Sequence, residues 1–124
     1  MSLKTVISDE KNSAKRVSIS GSLDSNTAPE LQQSIDAGID ESVRTIIIDF
    51  KDLDFISSAG LRVIFKTKKL MASCNGKLYL INLQPQIKKV FEIIKALDGM
   101  NVFKDQTEMD EYLTDMQNKV KNEE

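Results

Sequence analysis

The residues of this sequence that are the best candidates for chemical modification are two adjacent serines, Ser57 and Ser58. They follow an apolar β-branched segment, and the small residues Ala59 and Gly60 separate them from the apolar residues of a predicted helix. A phosphate on either hydroxyl would carry about −1.5 to −2 charges and would meet the free N–H groups and the positive dipole end of that helix. The alternative is structural, because serine is also a preferred N-cap residue.

Other routes to chemistry have less support. The sequence contains no histidine, the commonest general base at neutral pH and the commonest metal ligand. This excludes Ser-His and Cys-His nucleophiles and histidine-containing zinc sites. Paired carboxylates such as Asp52 and Asp54 would need a cleft, and no glycine-rich phosphate loop occurs. We therefore predict a non-enzymatic protein without cofactor or metal, and a small enzyme that uses carboxylates is the weakest alternative.

The composition indicates one globular domain. The chain has 124 residues, of which 40% are hydrophobic and 29% charged, as in average folded proteins. A net charge of −2 gives no general attraction to nucleic acid or anionic lipid. The first residues lack a signal peptide's apolar region, and no apolar run approaches the roughly 20 residues of a membrane span. The single cysteine, Cys74, fits a reducing compartment. We expect a cytoplasmic protein with no nucleic-acid or membrane partner.

Hydrophobic periodicity predicts the order β-β-α-β-α-β-α-β-α. The predicted strands are Lys4–Ser8, Lys15–Ser20, Thr45–Phe50, Lys77–Ile81 and a short edge strand at Val102 and Phe103. Four helices are predicted, and they begin near Thr27, after Ser57, at Pro85 and before Met109. The residues expected to be buried are Ala28, Leu31, Ile35 and Ile39 in the first helix and Leu61, Ile64, Phe65, Met71 and Ala72 in the second. They are Ile87, Val90, Phe91, Ile94 and Leu97 in the third helix and Met109, Tyr112, Leu113 and Met116 in the fourth. Gly21–Thr27 and Lys51–Ser57 are predicted loops, and Asp98-Gly99 is predicted to end the third helix.

This alternation predicts an α/β fold: a mixed, largely parallel sheet of four to five strands with about four helices, to which the opening hairpin adds an antiparallel edge. Periodicity leaves open whether the helices cover one sheet face or both. We predict a single domain over residues 1–124, with a core over about 4–116 and a frayed tail over 117–124. Asp24 and Ser58 both follow strands at the same end of the sheet, so we expect them to lie near each other.

Two segments resemble the motifs of a known family. Leu53–Ile64, with the sequence LDFISSAGLRVI, resembles the signature of STAS domains, the sulfate transporter and anti-sigma factor antagonist family. Gly21–Leu31 resembles the family's other characteristic loop. Each motif follows a strand and precedes a helix, their separation is similar to that in the family, and the element order matches over about residues 4–116. The resemblance implies that the chain is a STAS domain.

The resemblance also implies a phosphoacceptor. In the family the second motif usually has the form Asp-Ser-Ser/Thr-Gly-Leu, and its first serine accepts phosphate. Counting back from Gly60 places that acceptor at Ser58. Ser57 then occupies the position usually held by aspartate and is the alternative acceptor, and Ala59 occupies the position of the second hydroxyl.

A partner follows from the same resemblance. It implies that this protein is a bacterial anti-sigma factor antagonist: it binds a histidine-kinase-like ATPase that acts as anti-sigma factor and serine kinase, and thereby frees a sigma factor. Phosphorylation would end the binding, and a metal-dependent serine phosphatase would restore it. The expected partner-binding residues lie in both motifs: Asp24, Ser25, Asn26, Ser57, Ser58, Ala59, Gly60, Leu61 and Arg62. Asp24 could instead serve as a turn or N-cap residue.

Two alternatives remain open. A STAS domain can also be a scaffold subunit of a sensory or lipid-transport complex in which Ser58 is never modified. In addition, Lys66, Lys68 and Lys69 form with Arg62 a basic helix face, which either contacts a partner or is simply solvated. Cys74 is expected to be an ordinary small residue near a helix end.

Overall fold

The computed structural model describes the backbone of residues 2–93 and 101–123 and the side chains of residues 2–92 and 101–115. Its elements have the predicted order. The strands are β1 (Leu3–Glu10), β2 (Ala14–Leu23), β3 (Thr45–Ile56), β4 (Lys77–Ile81) and β5 (Asn101–Phe103). The helices are α1 (Ala28–Gly38), α2 (Ser58–Ser73), α3 (Pro85–Ile93) and α4 (Gln106–Glu123).

The sheet has the simple order β1-β2-β3-β4-β5. β1 and β2 form an antiparallel hairpin, and the other neighbouring strands are parallel, which confirms the predicted α/β architecture. The hairpin turn lies at the amino end of the parallel strands. It contains two consecutive residues in the left-handed region, Asn12 (φ 62°) and Ser13 (φ 61°). The Arg44 N–H donates to the Ser13 carbonyl at 2.8 Å, which fastens the turn to the residue before β3.

Helices cover both faces of the sheet, which answers the question that periodicity left open. Successive strand residues point to opposite faces, so Ile46 and Ile48 enter one core, which they share with buried residues of α1, α2 and α3, whereas Ile47 enters the other. This second core consists of Ile47, Tyr79, Ile81, Phe103 and Met109, and Met109 comes from α4. The continuous apolar run of β3 therefore reflects burial on both faces.

Arg16 connects three elements on the α4 face of the sheet. Its guanidinium forms an ion pair with Glu10 at 2.7 Å in the hairpin and a second with Asp49 of β3 at 3.3 Å. It also donates to the side-chain oxygen of Gln106, the first residue of α4. The start of α4 is thus joined by polar contacts to the hairpin and to β3.

β2 and β3 are longer than predicted. The segments Gly21–Thr27 and Lys51–Ser57 were expected to be loops, but β2 continues to Leu23 and β3 continues to Ile56. The prediction of loops was therefore wrong for residues 21–23 and 51–56, and only residues 24–27 and Ser57 connect these strands to the helices that follow. The two strands end as paired neighbours, with Leu23 opposite Ile56.

Two register shifts explain why the end of β3 resembles a loop in the sequence. The buried residues Phe50, Leu53 and Ile56 are three positions apart, which breaks the two-residue period expected of a strand. Along the β2–β3 pairing, β3 contains one extra residue opposite Ser18–Ser20 and another opposite Gly21–Ser22. Each extra residue is a bulge that returns the next apolar side chain to the same face.

The two last helices pack largely as predicted where their side chains are described: Met109 of α4 is buried and Leu113 packs against the second core, but Tyr112, predicted to be buried, is 39% exposed. Ile87 and Phe91 of α3 are buried in the first core, and Val90 packs against it. The predicted core residues Ile94, Leu97 and Met116 and the helix break at Asp98-Gly99 lie outside the described side chains. The backbone of α4 extends to Glu123, and the frayed tail over residues 117–124 stays a prediction.

A close contact holds the start of α2 against the ends of β2 and β3. A Cβ atom added to Gly60 would lie 2.5 Å from Cγ of Leu23 and 3.1 Å from Cγ1 of Ile56. Both of these side chains are buried, so neither can easily move away. The glycine in the first turn of α2 is therefore required by the close approach of the helix to the sheet.

We expect Gly60→Ala to lower the free energy of unfolding by about 1–3 kcal/mol, because the added methyl group would overpack a buried site. Gly38→Ala, in α1, is the matched control: its Cβ would meet Cδ1 of Ile7 at 2.7 Å, a terminal methyl group that can rotate away. Gly38→Ala should leave stability unchanged or raise it by less than about 1 kcal/mol. Urea unfolding would measure both, and equal stability of the two variants would contradict the proposed role of Gly60.

Candidate functional site

The structure brings the two motif segments together at the carboxyl end of the sheet. The last residues of β2 and β3 are paired, and the Ser57 N–H donates to the Leu23 carbonyl at 2.8 Å. The turn that begins at Asp24 and the helix that begins at Ser58 therefore start from neighbouring positions, as expected from the parallel arrangement of their strands.

Ser57 occupies the N-cap position of α2, but its side chain does not cap the helix. Its backbone is extended (φ −104°, ψ 175°), and its carbonyl accepts from the Leu61 N–H at 3.0 Å. Its hydroxyl oxygen is enclosed and has no hydrogen-bond partner among the described residues. The N-cap interpretation is therefore correct for the backbone of Ser57 and wrong for its hydroxyl group.

Ser58 is the first residue of α2, and its side chain is exposed. Of the four residues that follow, Ala59 is half-buried, Gly60 and Leu61 are buried, and Arg62 is exposed. The predicted partner-binding residues of this motif thus divide into two groups. Ser58 and Arg62 face solvent, whereas Gly60 and Leu61 support them from the core side.

Asp24 organises the turn between β2 and α1. Its Oδ1 accepts from the N–H groups of Asn26 at 2.9 Å and Thr27 at 3.0 Å. In return, the Thr27 hydroxyl accepts from the Asp24 N–H at 2.9 Å and donates to the Ser22 carbonyl at 2.7 Å. The turn role suggested by the sequence is therefore present, and Ser25 and Asn26 are exposed at the tip of the turn.

Thr27 is a site residue whose role the sequence did not reveal. Its side chain is buried, with 2% of its surface exposed. Its hydroxyl stabilises the Asp24 turn from the core side through the hydrogen bonds to the Asp24 N–H and the Ser22 carbonyl. The available signal was the spacing of Asp24 and Thr27, three residues apart before a helix, which is typical of reciprocal side-chain and backbone hydrogen bonds.

Phe55 was also missed. It lies near the end of β3, opposite Ser22, with 47% of its surface exposed. Leu53 and Phe55 are two residues apart and would share one face of a regular strand, so the spacing gave no signal; Phe55 is exposed because a bulge separates it from Leu53. It adds exposed apolar surface within the second motif segment, Leu53–Ile64.

The same hydrogen bonds set the charge state of Asp24. The Thr27 N–H, and after it the N–H of Asn26 and the Thr27 hydroxyl, hold the pKa of the Asp24 carboxyl below its ordinary value of 3.8, although partial burial opposes them. The folded state therefore favours the carboxylate. Its contribution to stability is fully present above pH about 4 and is lost as the pH falls through the lower pKa of the folded state.

Asp24→Asn should consequently destabilise the protein at pH 7, because a neutral amide oxygen is a weaker acceptor for the two N–H groups. The difference in stability between wild type and variant should shrink as the pH is lowered below about 4. Thermal unfolding at several pH values would measure it. Asp36→Asn, at an exposed position of α1, is the control, and a difference for Asp24→Asn that stays constant down to pH 2 would contradict this role.

The basic residues of α2 are free of ion pairs among the described side chains. Arg62, Lys66 and Lys69 are exposed and Lys68 is half-buried, and the ion pairs of the described residues involve Lys15 and Arg16 instead. Their functional role stays a prediction.

The other candidate residues named from the sequence, Asp52, Asp54 and Cys74, form no catalytic or metal-binding cluster with other described residues. Asp52 and Asp54 are exposed on β3, and within the described residues no three side chains of the metal-binding types converge. Cys74 is exposed and its thiol donates to the Met71 carbonyl at 3.4 Å. No helix in the described part of the chain is both long and apolar enough to cross a membrane.

Comparisons with known proteins agree with this geometry. The family model of the STAS domain matches residues 6–109. BtrV of Bordetella bronchiseptica, provisionally named an anti-sigma factor antagonist, is 37% identical over 75 residues, which cover 60% of this chain and 65% of BtrV. The anti-sigma-B factor antagonist of Staphylococcus aureus is 28% identical over 69% of this chain and 80% of its own.

A solved structure supports the fold. The crystal structure of an anti-sigma factor antagonist from Mycobacterium paratuberculosis superposes with a TM-score of 0.78 at 23% identity and covers 93% of this chain and 94% of its own. The family match spans most of the chain, and its two motifs meet at one end of the sheet. The chain therefore belongs to the STAS domain family.

Proposed function

We propose that this protein is an anti-sigma factor antagonist that binds an anti-sigma factor kinase and is released by phosphorylation of Ser58. The observation that carries the proposal is the exposed Ser58 hydroxyl at the point where the two motif segments adjoin. The names of the relatives in Bordetella and Staphylococcus support the same role. In this role the protein is a ligand and a substrate rather than an enzyme, and it acts in the bacterial cytoplasm.

Accessibility favours Ser58 over Ser57 as the acceptor. A kinase must bring the γ-phosphate of ATP in line with the attacking hydroxyl, so that hydroxyl has to reach out of the surface. Ser58 meets this requirement because it is exposed. The Ser57 hydroxyl oxygen is enclosed, and its phosphorylation would require the start of α2 to open.

The proposed binding surface combines a rigid turn with the start of a helix. Asp24 keeps the turn in one conformation through its hydrogen bonds to Asn26 and Thr27, so binding would cost little loop ordering. Ser25 and Asn26 supply exposed polar groups, and Phe55, opposite Ser22 near the end of β3, supplies an exposed apolar ring. Aromatic residues are enriched in protein-binding surfaces.

Phosphorylation would change binding without unfolding the domain. A phosphate on Ser58 would sit at the N-terminus of α2, where the helix dipole favours an anion. Against a bound partner the same dianion would have to lose its water, which costs several kcal/mol per ion. The modified protein would therefore stay folded and leave the kinase, and a serine phosphatase would return it to the binding form.

The first test is to map the phosphorylated residue. Incubation with the cognate anti-sigma factor kinase and ATP, followed by mass spectrometry, should show phosphate on Ser58. Ser57→Ala should retain the modification and Ser58→Ala should lose it, because the two hydroxyls differ in exposure. Phosphate that persists in Ser58→Ala and disappears in Ser57→Ala would assign the acceptor to Ser57. A complete absence of phosphate would favour the scaffold alternative.

The second test separates binding from folding. Ser58→Asp should weaken binding to the kinase by at least about tenfold, because an unpaired charge at a buried interface costs about 2–5 kcal/mol. Its melting temperature should remain close to that of the wild type, since an acid at a helix N-terminus is favourable. Ser73→Asp, at the other end of α2, should bind normally in titration calorimetry. An unfolded Ser58→Asp variant, or one that binds as tightly as wild type, would refute the switch.

A further inference from the structure

One exposed stripe of α2 contains the proposed acceptor and three cations. Ser58, Arg62, Lys66 and Lys69 are all exposed, and their spacing of four, four and three residues places them on one side of a helix. Ser58 is at the N-terminal end of the stripe, and Arg62 is the cation nearest to it along the helix. A group attached to Ser58 would therefore lie one helical turn from a guanidinium.

The Arg62 guanidinium is available for such a group. α2 contains no acidic residue between Ser58 and Ser73, so no carboxylate within the helix competes for it. Among the described side chains Arg62 forms neither an ion pair nor a hydrogen bond, in contrast to Arg16, which has three partners.

Carboxylates occur on the segments that lead to the start of α2. Asp24 lies in the turn after β2, which ends beside β3, and Asp52 and Asp54 lie near the end of β3. Like-charge repulsion from them would oppose the favourable helix dipole at Ser58. A cation close to Ser58 would therefore add to the stabilisation of a phosphate, and Arg62 is the one that the helix supplies.

We propose that Arg62 binds the phosphate on Ser58 and so forms an intramolecular clamp; this rests on the proposed modification of Ser58. Residues at positions i and i+4 of a helix have Cβ atoms about 5–6 Å apart, and an acid placed N-terminal to a base is the favourable orientation. The planar guanidinium can donate two parallel hydrogen bonds to a phosphate. Phosphorylation would then have two effects, since it adds an anion and withdraws a cation from the surface offered to the partner.

The clamp can be tested without any kinase. Phosphoserine is incorporated at position 58 during translation, and its ³¹P NMR signal is followed as the pH is varied. The clamp stabilises the dianion, so Arg62→Gln should raise the midpoint of the phosphate titration by about 0.3 pH units, the value expected for a helical ion pair. Arg62→Lys should retain part of the effect, because it keeps the charge and loses the bidentate geometry.

Lys69→Gln is the matched control. It removes the same charge from the same stripe, but position 69 lies roughly 16 Å from position 58 along the helix axis. This distance exceeds the screening length at physiological ionic strength. Its titration midpoint should equal that of the wild type. An unchanged midpoint in Arg62→Gln, or an equal change in Lys69→Gln, would overturn the clamp. Because the phosphate is installed independently, these outcomes are distinct from a failure of the kinase to modify Ser58.

Discussion

The close approach of Gly60 to Leu23 and Ile56 is the contact on which the functional end of this molecule depends. It fixes the start of α2 on the paired ends of β2 and β3. Together with the burial of Ile64 and Met71 further along, it also fixes the rotation of the helix about its axis. Which serine is enclosed and which is exposed follows from that rotation, so the packing of a residue without a side chain determines the chemistry of its neighbours.

Much of the fold could be predicted because its signals are local. The alternation of strands and helices gave the correct element order, and parallel strands bring their carboxyl ends to one edge, so the meeting of the two motifs was predictable from topology. The end of β3 was not predictable from its own residues. The side on which Leu53 and Ile56 emerge depends on bulges, which exist only in the pairing with β2.

The site was predictable in composition and less so in detail. The motifs located Asp24 and Ser58, but the sequence left open whether Asp24 served as a turn residue and whether the serines capped the helix. Those outcomes depend on tertiary surroundings: the Thr27 hydroxyl reaches Asp24 only because it is buried beneath the turn. The Ser57 hydroxyl is enclosed because α2 packs closely on the strand ends, which no residue spacing reveals.

α2 and the first part of α4 lie on opposite sheet faces and carry opposite charge. α2 has four cationic residues and no acidic ones, whereas the first part of α4, residues 106–115, has four acidic residues and no cationic ones. They lie on opposite sides of the sheet, since their buried residues belong to different cores. Although the net charge is only −2, these two helix surfaces differ in sign, and the difference can orient the molecule as it approaches a charged partner.

The hairpin turn at Asn12 and Ser13 gives the domain a second, independent end. β2 contains 10 residues and so separates this turn from the Asp24 turn by roughly 30 Å. A fluorescent protein or an immobilising tag inserted at the hairpin turn would project away from the carboxyl edge of the sheet. The domain is therefore suited to serve as a reporter in living cells, in which capture and release at one end are observed through a label carried at the other.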